Sequence, residues 1–90
     1  MNIHEARDAI FKEINNEQTY ALKTWGEDFD EKNTLNDWVA YITKYTGNAI
    51  DFLNVGNPEQ QKLKLIKAAN LAINAAAHIE AGKVAPRHYD

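Results

Sequence analysis

Apolar residues recur along most of this chain at three- and four-residue steps, the period of an α-helix. Ile3, Ala6, Ile10, Ile14, Ala21 and Trp25 form the first such series, and Phe11 and Leu22 widen it. Asn2 stands ahead of the series as a cap, with Glu5 three residues on to reach back toward it. The pattern predicts a first helix over residues 2–25, stopped at Gly26. A second helix is predicted over 35–54, capped by Thr34 with Asp37 at the positive end of its dipole, and buried along Trp38, Ile42, Tyr45, Ala49 and Phe52 or Leu53. Gly47 falls inside that helix at a cost of about 1 kcal/mol relative to alanine, which implies a bend in the helix or, as expected here, close approach of a partner helix or ligand. The third start is the clearest: Gly56, Asn57, Pro58 and Gln60 supply a C′ glycine, an N-cap, a proline at the first helical position and a capping-box glutamine. It predicts a helix over 58–81 that stops at Gly82, followed by a tail over 82–90.

The third helix carries a polar line through an alanine-rich background. Lys67, Asn70, Asn74 and His78 step by three, four and four residues, so they share one face. Small flanking side chains let a neighbouring backbone come close, and amides in such a place need partners. Two readings follow. Asn70 and Asn74 pin helices together inside a bundle or oligomer, or they line a pocket for a polar ligand.

Ninety residues make one domain, in which a lone core is marginal, since chains this short bury only about 60–65% of their unfolded surface. Two helices longer than about 30 Å also exceed what so few residues enclose alone, which predicts a homo-oligomer, a dimer or tetramer. No apolar run reaches the length of a membrane span, and the N-terminus does not have the order of a signal peptide, so a soluble, cytoplasmic protein is expected. Without cysteine there is no disulfide framework and no thiolate. A net charge of −3 does not suit direct DNA or RNA binding. Charge is nonetheless uneven: residues 27–31 hold four acids, read as a surface loop, whereas 62–88 hold five Lys/Arg against Glu80 alone. That basic half could attract phosphate.

Catalytic sets are sparse. Serine and cysteine are both missing, which excludes Ser-His-Asp and Cys-His nucleophilic mechanisms. His4, His78 and His88 would have to converge from three elements to make a zinc site, and no E-x-x-E or E-x-x-D pair on the second or third helix offers magnesium its carboxylates. Glu13 and Glu17 share a face of the first helix, with Lys12 and Arg7 close by. No metal or cofactor is expected. The second helix is richer, because Tyr41, Lys44 and Asn48 share a face: a ring to stack on a base, an ammonium for phosphate, and an amide for base edges or ribose hydroxyls. Trp38 and Tyr45 lie on adjacent tracks and read as core.

Glu17, Gln18, Thr24, Trp25 and Gly26, then the acidic loop, then Asn36 to Ile42, and lastly the alanine-rich helix ending in Ile79 and Glu80, resemble small phage and prophage proteins related to the MazG-like all-α nucleoside triphosphate pyrophosphohydrolases. The resemblance spans residues 17–82. It implies an all-α chain that assembles into dimers or tetramers and holds a nucleoside triphosphate at a magnesium cluster between helices. Where that family keeps its acids, this chain has Lys44, Tyr45 and Asn48 on the second helix and Lys67 and Asn70 on the third. Lysine and amide in those positions would lose the metal and hold phosphates directly.

The expectation is therefore an antiparallel three-helix bundle, assembled as a homo-oligomer, that sequesters a nucleotide-like ligand without turning it over. By analogy of size and pocket chemistry, the ligand would be a cyclic dinucleotide or ADP-ribose-type immune signal and the protein a phage counter-defence protein. Lys44 and Lys67 would meet phosphate, with Arg87 assisting if the tail folds back. Tyr41 or Trp25 would stack, and Asn48, Asn70, Asn74 and His78 would supply hydrogen bonds. Two alternatives stand beside this. One is an active magnesium-dependent pyrophosphohydrolase using Glu13, Glu17 and Asp51, and the other is a helical interaction protein with no small ligand.

Overall fold

A computed structural model describes residues 1–25 and 32–85, apart from the side chains of Ala21, Trp25, Leu53 and Asn54. The described residues form three helices: α1 (Ile3–Trp25), α2 (Leu35–Asn54) and α3 (Pro58–Glu80).

Local chemistry sets each boundary. The Glu5 amide donates to Asn2 Oδ1 at 2.9 Å, and the Asn2 side-chain amide donates to the Glu5 carboxylate at 2.7 Å, so cap and third residue meet through their side chains. At α2 the capping box is reciprocal: the Asp37 amide donates to Thr34 Oγ1 at 3.2 Å and the Thr34 amide donates to Asp37 Oδ2 at 2.9 Å. Asp37 thus does more than sit at the positive end of the dipole. At α3 the Gln60 amide donates to Asn57 Oδ1 at 3.2 Å, one residue after Gly56 turns the chain at φ 67°. The far end of α3 closes as a Schellman motif, with the Lys83 amide on the His78 carbonyl, the Gly82 amide on that of Ile79, and Gly82 at φ 68°. Only glycine takes that φ without strain.

Two contacts fix how α2 and α3 lie. Trp38, early in α2, has its ring centroid 5.2 Å from that of His78, late in α3, while Tyr45, a little under two turns further along α2, lies beside Lys64, early in α3. The two helices therefore run antiparallel, joined by the short turn at Val55–Asn57. A hydrogen bond from the Ala85 amide to the Asn33 carbonyl ties the open end of the hairpin. Trp38, only 1% exposed, and Ala49 on α2 are buried, as are Ala68 and Ala75 on α3. Alanines there let the two backbones approach closely.

Helix α1 rests on α3. Glu13 and Glu17 reach Lys62 and Lys67 in the same order along both helices, so α1 and α3 run parallel, and Ile14 and Ile66 are buried. Ile3, Phe11 and Leu22, expected in or beside the buried stripe of α1, are exposed, because α1 meets one helix edge and is not enclosed by two.

At Gly47 no described helix of the same chain makes a close approach. A Cβ built there would meet nothing within 4 Å. The glycine lies on the side of α2 turned away from α3, so no described part of the same chain accounts for it.

Candidate functional site

Residues on an α-helix advance by about 100° each, so each side chain can be placed relative to the line of contact between α2 and α3. In an antiparallel pair, side chains displaced in the same rotational sense from that line fall on the same side of the pair. On α3, Lys67, Asn70 and Asn74 are displaced one way from the contact line, with His78 at its edge; on α2, Tyr41, Lys44 and Asn48 are displaced in the same sense. One face of the hairpin thus gathers the ring, the ammonium groups and the amides singled out by the sequence.

Burial and pairing divide these residues. Asn70 is 7% exposed, and its Oδ1 is buried without a hydrogen-bond partner. The expected pinning of Asn70 to another helix is not made through that oxygen within the described chain. Asn74 is half-buried and its backbone carbonyl lies 2.7 Å from His78 Nδ1. A carbonyl only accepts, so Nδ1 carries the proton and, in the neutral ring, Nε2 is the acceptor. His78 therefore braces Trp38 by ring contact while held by its own helix. Trp38 Nε1 is the second buried polar atom without a partner.

The cations differ in availability. Lys67 Nζ lies 3.9 Å from Glu17 Oε1, a loose and partly exposed pair contributing about 0–1 kcal/mol, which any phosphate would have to displace. Lys44 Nζ lies 5.6 Å from the centre of the Tyr45 ring, and Lys64 Nζ lies 5.7 Å from the same centre. Among the described residues neither lysine has an acidic partner. One half-buried ring thus holds two ammonium groups by cation–π attraction, and both keep their capacity to donate hydrogen bonds.

Lys64 joins this group in the structure, and the spacing argument did not include it. Its signal in the sequence is weak, since it precedes Lys67 by three residues and only the hairpin register brings it to Tyr45. Tyr41 is 43% exposed, enough to leave part of its ring open for stacking, and Asn48 is half-buried. The side chain of Trp25 and the whole of Arg87 lie outside the described residues.

A groove of about 270 Å³ opens between α1 and α3, lined by Glu13, Asn16, Glu17, Tyr20, Leu63 and Ile66. None of the expected ligand residues lines it. Its two carboxylates repel phosphate, and both face lysines, Glu13 at 3.5 Å from Lys62 and Glu17 at 3.9 Å from Lys67. Asp51 is exposed on α2, and among the described residues no three His, Cys, Asp or Glu side chains converge as a metal set would.

No protein-family model matches this sequence, and neither a curated protein nor a solved structure is similar to it. Among the described residues, no helix is long and apolar enough to cross a membrane.

Proposed function

We propose that this protein binds a phosphate-bearing, nucleotide-like ligand on the polar face of the α2–α3 hairpin and releases it unchanged. The observation that carries this reading is the grouping around Tyr45: two lysines without acidic partners among the described residues, Lys64 at the line of contact between the helices and Lys44 displaced to the side that also carries Tyr41, Asn48, Asn70 and Asn74. Ammonium groups supply charge for phosphate, the exposed Tyr41 ring offers a stacking plane, and the unpaired Asn70 Oδ1 offers an acceptor for a base amino group or a ribose hydroxyl. Of the lysines, Lys44 and Lys64 are the primary phosphate ligands and Lys67 joins them on leaving Glu17. Cyclic dinucleotides and ADP-ribose derivatives have the right pairing of base and phosphate. Sequestering such a signal on behalf of a phage is the role in which binding without turnover is useful.

The protein works in this reading as a homo-oligomeric helical bundle, a dimer or tetramer. The MazG-like hydrolase reading finds less support, because Glu13 and Glu17 point to lysines of α3 and Asp51 belongs to a different helix. The interaction-protein reading is favoured by one observation, the exposed apolar side chains Val39, Ile50, Leu65 and Ile79. Oligomerisation accounts for these without excluding a ligand.

Isothermal calorimetry against a panel of cyclic dinucleotides, ADP-ribose derivatives and nucleoside triphosphates tests the proposal, with the recovered ligand analysed chromatographically. Binding of at least one compound, returned intact and weakened at least tenfold in Lys64→Ala and Asn70→Ala, is expected. Magnesium-dependent release of pyrophosphate would restore the hydrolase reading, and binding unaffected by either substitution would remove the assigned face.

A further inference from the structure

Helix α3 is inverted relative to an ordinary surface helix. Its amides and Lys67 turn toward the neighbouring helices, while Leu65, Ala72, Ile73, Ala76 and Ile79 are exposed. Four of them, Leu65, Ala72, Ala76 and Ile79, follow one another at seven, four and three residues and form a single stripe. Helix α2 has a matching stripe in Leu35, Val39, Thr43, Thr46 and Ile50, all exposed. The two threonine hydroxyls are spent on their own helix, Thr43 donating to the Val39 carbonyl at 2.8 Å and Thr46 to that of Ile42 at 3.1 Å, so neither needs an outside partner. Both stripes are displaced from the α2–α3 contact line in the same rotational sense, opposite to that of the polar face. They therefore form one apolar surface two helices wide, with no charged residue in either stripe.

We infer that this surface is where a second copy of the chain docks, α2–α3 hairpin against α2–α3 hairpin. This rests on the homo-oligomer part of the proposed function and names the interface that it requires. Charge favours a second copy. A two-fold interface sets a patch against itself, which penalises any charged centre by like-charge contact, and this face has none. The small side chains of Ala72 and Ala76 between Leu65 and Ile79 allow close helix approach across the axis. Docking this way leaves Tyr41, Lys44 and Asn48 on the opposite side of the hairpin from the interface.

Sedimentation velocity over roughly 5–200 µM tests the surface. The unmodified chain is expected at twice the monomer mass or more, and Val39→Glu with Ala72→Glu is expected to halve that mass while keeping its helical circular dichroism. Because the protein has no cysteine, Ala76→Cys alone provides a second probe that keeps the face apolar. A short bifunctional maleimide should join two such chains and should not join Glu59→Cys chains, whose reporter sits on the first turn of α3. A monomeric unmodified chain would overturn both the homo-oligomer reading and this interface. An oligomer that survives the two glutamates and does not cross-link through Cys at 76 would overturn the interface alone. If the glutamate variant does not fold, the cross-link decides.

Discussion

Replacing Asn70 by leucine separates a ligand-facing amide from a structural one. Asn70 is 7% exposed and its Oδ1 has no hydrogen-bond partner, so folding strips water from a carbonyl and returns nothing to it. An unsatisfied buried polar group costs about 1–3 kcal/mol, and leucine is close in size, so the substitution removes that penalty and adds apolar burial one turn from the buried Ile66. Allowing for the imperfect fit of a branched side chain, Asn70→Leu is expected to stabilise the protein by about 1–2 kcal/mol. In a domain of this length that raises Tm by roughly 4–16 °C. Thermal and urea unfolding followed by circular dichroism at matched protein concentration measure it, since assembly makes Tm depend on concentration. The same variant is expected to lose nucleotide affinity. A variant destabilised by 1 kcal/mol or more would refute the reasoning, because it would show that Asn70 makes a hydrogen bond on which the fold depends.

Other substitutions follow from the same geometry. Gly47→Ala fills open space on an exposed helix face and should raise stability by about 0.5–1 kcal/mol in urea unfolding; a loss would mean that a neighbour does approach there. Trp38→Ala empties the most buried side chain of the hairpin seam and should cost about 3–5 kcal/mol, enough to leave much of the protein unfolded by circular dichroism. Glu17→Gln removes the partner of Lys67, a partly exposed pair, so stability should change by less than about 1 kcal/mol while calorimetric affinity for a phosphate ligand rises and becomes more sensitive to salt. An affinity that falls would show that Glu17 contacts the ligand.

The helices were legible because their boundary signals are local. Asn2 with Glu5, Thr34 with Asp37, and Asn57 with Pro58 and Gln60 each act within four residues, and the helix bounds differ from expectation by one residue at most. The gathering of Tyr41, Lys44 and Asn48 with Lys67, Asn70 and Asn74 was half legible, since spacing puts each set on one face of its helix and only the hairpin register puts both on one side. Long-range pairings were not legible. Glu13 and Glu17 find Lys62 and Lys67 about fifty positions away, and Lys64 reaches Tyr45 across the hairpin, with no sequence period linking them. The outward turn of the apolar face of α3 was also hidden. Alanine suits a tight seam and an exposed stripe equally, and only the placement of α1 and α2 on the opposite edges decides which alanines meet a neighbour. At Gly47 propensity pointed to a close approach that no described part of the same chain makes.

Titrating ¹⁵N-labelled protein with a bound nucleotide from the panel and following its amide spectrum tests the two-faced hairpin most directly. The account predicts that the side-chain amides of Asn48, Asn70 and Asn74 and the backbone signals of Tyr41 and Lys64 shift together, while those of Val39, Ala72 and Ala76 stay in place. Shifts confined to Glu13, Asn16, Glu17 and Tyr20, or centred on the apolar face, would contradict it.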